Sequence, residues 1–277
     1  MKVKKRKLTL ICVLHYLKLT YRSLLFILAA VMYVVGRIRG TGEFFGELKK
    51  EYWLLGVIWL VYVVEMACRF FPSRLESPGC QKQFGKNYIP TGESQPKLQS
   101  WKRTLAVALA WFALNGAIGA LYYLGLIDQG ILVLISLAYG VCDMICILFF
   151  CPFQTWFMKN RCCTTCRIYN WDFAMMFTPF IFIPNVYTWS LLGFALALLA
   201  RWEITVHRHP ERFSTATNRC LDCSHCEEKL CHHKKQLQGF LKNTKQDFFH
   251  LEKLIDKNNV IKLRPEVRCD HHDHERG

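Results

Sequence analysis

Apolar residues in this chain gather into long blocks instead of recurring at amphipathic spacing. Residues 52–71, 104–126 and 131–151 are apolar almost without interruption, each near the ~20 residues a helix needs to cross a ~30 Å hydrocarbon layer. Residues 8–17 are also apolar, but Lys18 and Arg22 interrupt before the run resumes at Ser23. This pattern predicts an interfacial lead-in bending into a first span over residues 19–38, with both cations snorkelling toward headgroups. A fifth apolar stretch, residues 173–200, is broken by Pro179 and by Pro184-Asn185. It reads either as one kinked span or as two short limbs that dip into the membrane and return.

The chain turns polar after Trp202. Over residues 234–257, Leu237, Phe240, Leu241, Phe248, Leu251, Leu254 and Ile255 recur at helical spacing, which predicts an amphipathic helix lying against membrane or a partner. The expected fold is an all-α polytopic membrane protein. Residues 1–200 hold four transmembrane helices plus the Pro-broken fifth segment, re-entrant or a short hairpin, and residues 201–277 form a Cys/His-rich tail. Residues 73–100, with Pro78-Gly79, Pro90, Gly92 and Pro96, read as an extramembrane loop. The turn over 126–130, which contains Asp128 and no basic residue, makes the third and fourth spans an antiparallel hairpin. Gly116 and Gly119 of the third span let a neighbouring helix approach closely.

Charge then sets orientation. The net charge is +15, but the basic residues flank apolar blocks and follow no nucleic-acid motif, so anionic lipid headgroups are the expected partner and nucleic acid is not. Outer loops hold only Arg37, Arg39, Lys49 and Lys50, whereas the N-terminus and the inner loops are rich in Lys and Arg. The bias places the N-terminus in the cytoplasm. Lysines and arginines of the tail favour a returning fifth segment, which puts the tail in the cytoplasm too. The location expected is the cytoplasmic or inner membrane. Lys2 to Lys7 ahead of an apolar run imitate a secretory signal, but no small-residue cleavage site follows.

Two acids lie inside the apolar blocks, where an unpaired carboxyl costs about 2.5–3.5 kcal/mol at mid-helix. Glu65 and Asp143 sit in related surroundings: each is followed by Met, then three positions on by Cys (Cys68, Cys146), then by two Phe and a Pro. If both spans run inward, the acids share a depth, each with a cysteine one turn further along the same face. Arg69, four residues after Glu65, is its expected partner; Asp143 has no basic neighbour within a turn, which makes it the stronger functional candidate.

Fourteen cysteines lie mostly in membrane segments or the basic tail, so thiols are expected rather than disulfides. Cys142 and Cys146 flank Asp143. Cys163-x2-Cys166 follows the fourth span, and Cys220-x2-Cys223-x2-Cys226 precedes Cys231. The tail run approaches the bacterial ferredoxin spacing, although its last gap is one residue longer and His232 stands where that motif has Pro; Cys151-Pro152 would then supply a fourth ligand. Alternatively Cys163 and Cys166 join a tail pair in a four-coordinate zinc site. Cys146-x4-Cys151-Pro152 also resembles the Cys-Pro motifs of polyferredoxin-like integral iron–sulfur proteins, over a few residues and with a different gap. The cofactor is thus zinc or an iron–sulfur cluster.

Three functions fit. The first is transport or sensing of a transition metal ion, with Cys142, Asp143 and Cys146, joined by Glu65 and Cys68, as an intramembrane waypoint. So few spans make a thin pathway, so transport calls for a homo-oligomer. The second is electron transfer through an iron–sulfur cluster, and the third is an assembly or scaffold role with structural zinc. Whether the chain is an enzyme is left open, since no catalytic triad, phosphate loop, zinc-protease or dinucleotide motif appears.

Overall fold

The computed structural model describes residues 10–38, 52–72, 78–160 and 162–222. Cys223, Cys226, Cys231, the helix expected over 234–257 and the terminal histidines lie outside the described residues. The described part is helical, with an isolated β-bridge between Pro90 and Asn218. Its helices are α1 (Leu10–Ile38), α2 (Tyr52–Phe70), α3 (Pro78–Gln83), α4 (Trp101–Tyr123), α5 (Gln129–Leu148), α6 (Asp172–Phe177) and α7 (Val186–Arg208). Four of them, α1, α4, α5 and α7, are long and apolar enough to cross a membrane.

Two expectations change. The first helix is continuous over 29 residues, with no break at Lys18 or Arg22. Arg22 does not snorkel: it is 1% exposed, because carboxylates from two other helices meet it inside the bundle. The segment 173–200 is also not a pair of matched limbs. Its first part is a short limb, α6 followed by a 3-10 turn over Thr178–Phe182 with Pro179 in its first turn. Pro184 ends it, because a proline has no N–H to give a helix interior. Asn185 then caps α7, its side chain accepting from the Tyr187 N–H at 3.0 Å, and α7 runs 23 residues to Arg208. At about 1.5–2 Å of rise per residue the limb spans roughly 20 Å, too little to cross the ~30 Å hydrocarbon layer, whereas α7 has the length.

Ring contacts give the limb's course. It begins where Asp172 meets Arg69 near the C-terminus of α2 and ends with Phe182 against Tyr122 and Tyr123, at the far end of α4. From there α7 runs back, its Glu203 pairing with Arg167 in the loop ahead of the limb. Gly119 makes this possible, since a Cβ there would collide with the Phe182 ring.

Lipid tails are as apolar as leucine side chains, so close packing and interhelical hydrogen bonds must hold such a bundle. Phe173, Met176, Phe177 and Phe180 of the limb pack with Tyr62, Leu137 and Leu191 in one buried cluster. Ser136 Oγ donates to the Met176 carbonyl at 2.8 Å, Trp111 Nε1 to Thr178 Oγ1 at 3.1 Å, and Trp59 Nε1 to Ser190 Oγ at 2.7 Å. At the turn between α4 and α5, Asp128 caps α5 and accepts from Tyr33 of α1. Residues 82–97, in the loop after α2, form an ordered layer stitched to residues 209–221. Asn218, fully buried, donates to the carbonyls of Lys82 and Arg212 at 3.0 and 2.9 Å.

Candidate functional site

Two arginines and three carboxylates converge between α1, α2, α5 and α6. Arg22 on α1 places Nη2 2.6 Å from Glu65 Oε2 and Nη1 3.1 Å from Asp143 Oδ2. It also donates to the Gly140 carbonyl at 3.0 Å. Glu65 takes further support from Lys18 at 3.6 Å and from the Tyr21 hydroxyl. Arg69 grips Asp172 through both guanidinium nitrogens, at 2.6 and 2.5 Å. The Phe173 ring lies beneath both arginines, 4.6 Å from Arg69 and 5.9 Å from Arg22.

These contacts revise the expected pairing. Arg69 does not neutralise Glu65, although the two are one turn apart, because the start of α6 offers it a bidentate carboxylate. Glu65 faces α1 instead. Asp143 does have a basic partner, supplied across the α1–α5 contact from 121 residues away. The sequence alone marks neither Arg22 nor Asp172 as a site residue; the only signal for Arg22 is a cation among apolar residues.

Beside Asp143 and Asp172 opens a cavity of about 140 Å³. Five of the cysteines named above line it: Cys142, Cys146, Cys151, Cys163 and Cys166. Cys142 and Cys146 stand four apart on one face of α5, as i and i+4 positions must. Cys151 follows the end of that helix, and its sulfur accepts from the Gln154 N–H at 3.3 Å. The Cys146 and Cys151 thiols face each other closely enough to interact. A single π-helical turn, Phe153–Phe157, comes next; such turns recur at functional sites because they re-aim side chains. It buries Gln154, whose Oε1 accepts from the Cys163 thiol at 3.0 Å. Trp111, Tyr139, Met175 and Met176 are also in the wall.

Cys142, Cys146, Cys151, Cys163 and Cys166 are thiols and not half-cystines. Cys166 is 7% exposed, and burial pushes its thiol up to about 12. Cys68 is half-buried and, like Glu65, does not line the cavity. Cys220 sits in the ordered loop layer, its thiol donating to the Asn87 carbonyl at 3.0 Å. The convergence expected between the tail ligands and Cys163 and Cys166 falls mostly outside the described residues. Among the described residues, no three His, Cys, Asp or Glu side chains are grouped closely enough to hold a metal ion. The arrangement is a cavity lined by sulfur, with two thiols as near neighbours and a charge-compensated network at its wall. Comparison with protein-family models, curated proteins and solved structures finds no match to this chain.

Proposed function

We propose that this protein handles a soft transition-metal ion within the membrane, with the thiol-lined cavity as its station. The observation that carries the reading is the gathering of five cysteines from α5 and the following loop around one cavity beside two carboxylates. Thiolates prefer soft ions such as Cu(I) and Zn(II), and nearby carboxylates help to offset the ion's charge. Cys146 and Cys151 are the first pair. Two thiolates suffice for a two-coordinate Cu(I), which suits a cavity whose described donors do not form a set of three. Uptake would release both thiol protons and leave the bound pair with one negative charge. The remaining three thiols would then take the ion onward by ligand exchange.

The test is a Cu(I) titration of the anaerobically purified full-length protein against a colorimetric chelator. Cys146→Ser and Cys151→Ser should each weaken binding by more than the roughly 10–100-fold that loss of an outer-shell group costs, while Cys68→Ser should not. Unchanged affinity in both cavity variants sinks the reading. Metal that survives those variants but disappears with the cysteines of residues 220–231 would indicate structural zinc in the tail, and broad visible absorption would indicate an iron–sulfur cluster.

A further inference from the structure

A second recess, of about 540 Å³, lies along the C-terminal half of α7 and the turn after it. One part is apolar and made by small or aliphatic side chains, Ala197, Ala200 and Ile204; the other presents Arg201, Arg208 and Arg212. Positions 197, 200/201, 204 and 208 recur every three to four residues, so one face of α7 carries both parts. From Ala197 to Arg208 it extends about 16 Å at 1.5 Å per residue. The face therefore begins as a shallow apolar trough in a membrane-length helix and ends in a group of cations.

The three arginines differ from the others inside the fold. Arg22, Arg69 and Arg167 each hold a carboxylate; among the described residues no acid pairs with Arg201, Arg208 or Arg212. Glu203 and Glu211 are occupied by Arg167 and His209. Arg201 and Arg212 are nonetheless held in place. The Arg201 guanidinium lies 5.2 Å above the Phe70 ring, a contact that leaves its N–H groups to donate elsewhere. The Arg212 guanidinium rests on the backbone of Gly85, where a Cβ would come 2.9 Å from its Cζ, and its Nε is buried without a partner. Two pre-positioned guanidiniums and a third on the last turn of the helix make a multidentate anion cradle, since Arg offers planar forks of donors that match phosphate oxygens.

We propose that this recess binds an anionic phospholipid, with the phosphate among Arg201, Arg208 and Arg212 and an acyl chain along Ala197, Ala200 and Ile204. The apolar trough distinguishes this ligand from free phosphate, which has no use for it. The charge distinguishes it from a zwitterionic lipid, whose own cation would meet three others.

Native mass spectrometry of the full chain, with dioleoyl phosphatidylglycerol or dioleoyl phosphatidylcholine added to the detergent, reads the site directly. Phosphatidylglycerol should be retained and phosphatidylcholine not. Arg208→Gln, which removes a side chain with no described hydrogen bond or ion pair, should weaken retention about fivefold, the worth of one basic residue at an anionic surface. Gly85→Ala should weaken it too while keeping every charge, because the new methyl displaces the Arg212 guanidinium. Ala200→Phe fills the trough and should reduce phosphatidylglycerol binding with the arginines intact. Equal retention of the two lipids, or retention unaffected by Arg208→Gln and Gly85→Ala, overturns the proposal. So does displacement by millimolar inorganic phosphate together with indifference to Ala200→Phe, which would mark a free-anion site.

Discussion

Cys166 has an ordinary thiol value of 9.0, and burial pushes it up to about 12. A value raised in the folded state means that the neutral thiol favours folding below pH 9 and that this contribution is lost as pH climbs from 9 toward 12. Stability should therefore fall over that window in the native protein, and Cys166→Ala should show a shallower fall, measured by thermal unfolding in detergent. At pH 8, alkylation of Cys166 should be about a thousandfold slower than for the same cysteine in denaturant, from the three-unit difference in thiolate fraction; peptide mapping by mass spectrometry checks this. Single residues were unevenly legible in the sequence. Glu65 and Asp143 stood out because a carboxyl among apolar residues needs a reason, and the shared acid-Met-x-Cys register placed them at one depth; both meet Arg22. Arg22 itself was hidden, since a cation four residues after Lys18 looks like an interfacial pair. Asp172 was hidden too, because it adjoins the polar loop that precedes it.

Among the helices, α1 is joined to α2 and α5 by one buried guanidinium. Removing one partner of a buried pair strands the other charge, which costs roughly 3–5 kcal/mol in soluble proteins. Arg22→Met should thus destabilise the bundle by that order, and the triple change with Glu65→Gln and Asp143→Asn should recover most of the loss; unfolding midpoints of the native protein and the two variants in one detergent give the comparison. If the triple variant is no better than Arg22→Met, the network does not hold these helices together. At this scale the apolar blocks located α2, α4 and α5 within a few residues, and the turn at Asp128 fixed the α4–α5 connection. The fifth block was harder. Its length suggested one crossing and its prolines suggested two limbs, and only the Asn185 cap, a local signal overshadowed by Pro184, marks where the long helix starts.

For the described bundle, the limb and α7 run in opposite directions, so the loop before Asp172 and the end of α7 share a side of it. Gln99→Cys and His207→Cys should therefore react with a membrane-impermeant maleimide from the same face in sealed vesicles, and Gln129→Cys from the opposite one. Labelling of Gln99→Cys and His207→Cys from different faces would rule out the returning path. The ring of Phe173, on the first turn of that limb, lies under both Arg22 and Arg69. It couples two ion pairs that share no carboxylate, and it sits one residue from Asp172 at the cavity wall. Any tilt of α6 that widens or narrows the cavity must carry the ring with it and disturb both guanidiniums in the same stroke. Filling the cavity would thus be felt on α1 and α2 through that ring, without either helix touching what fills it.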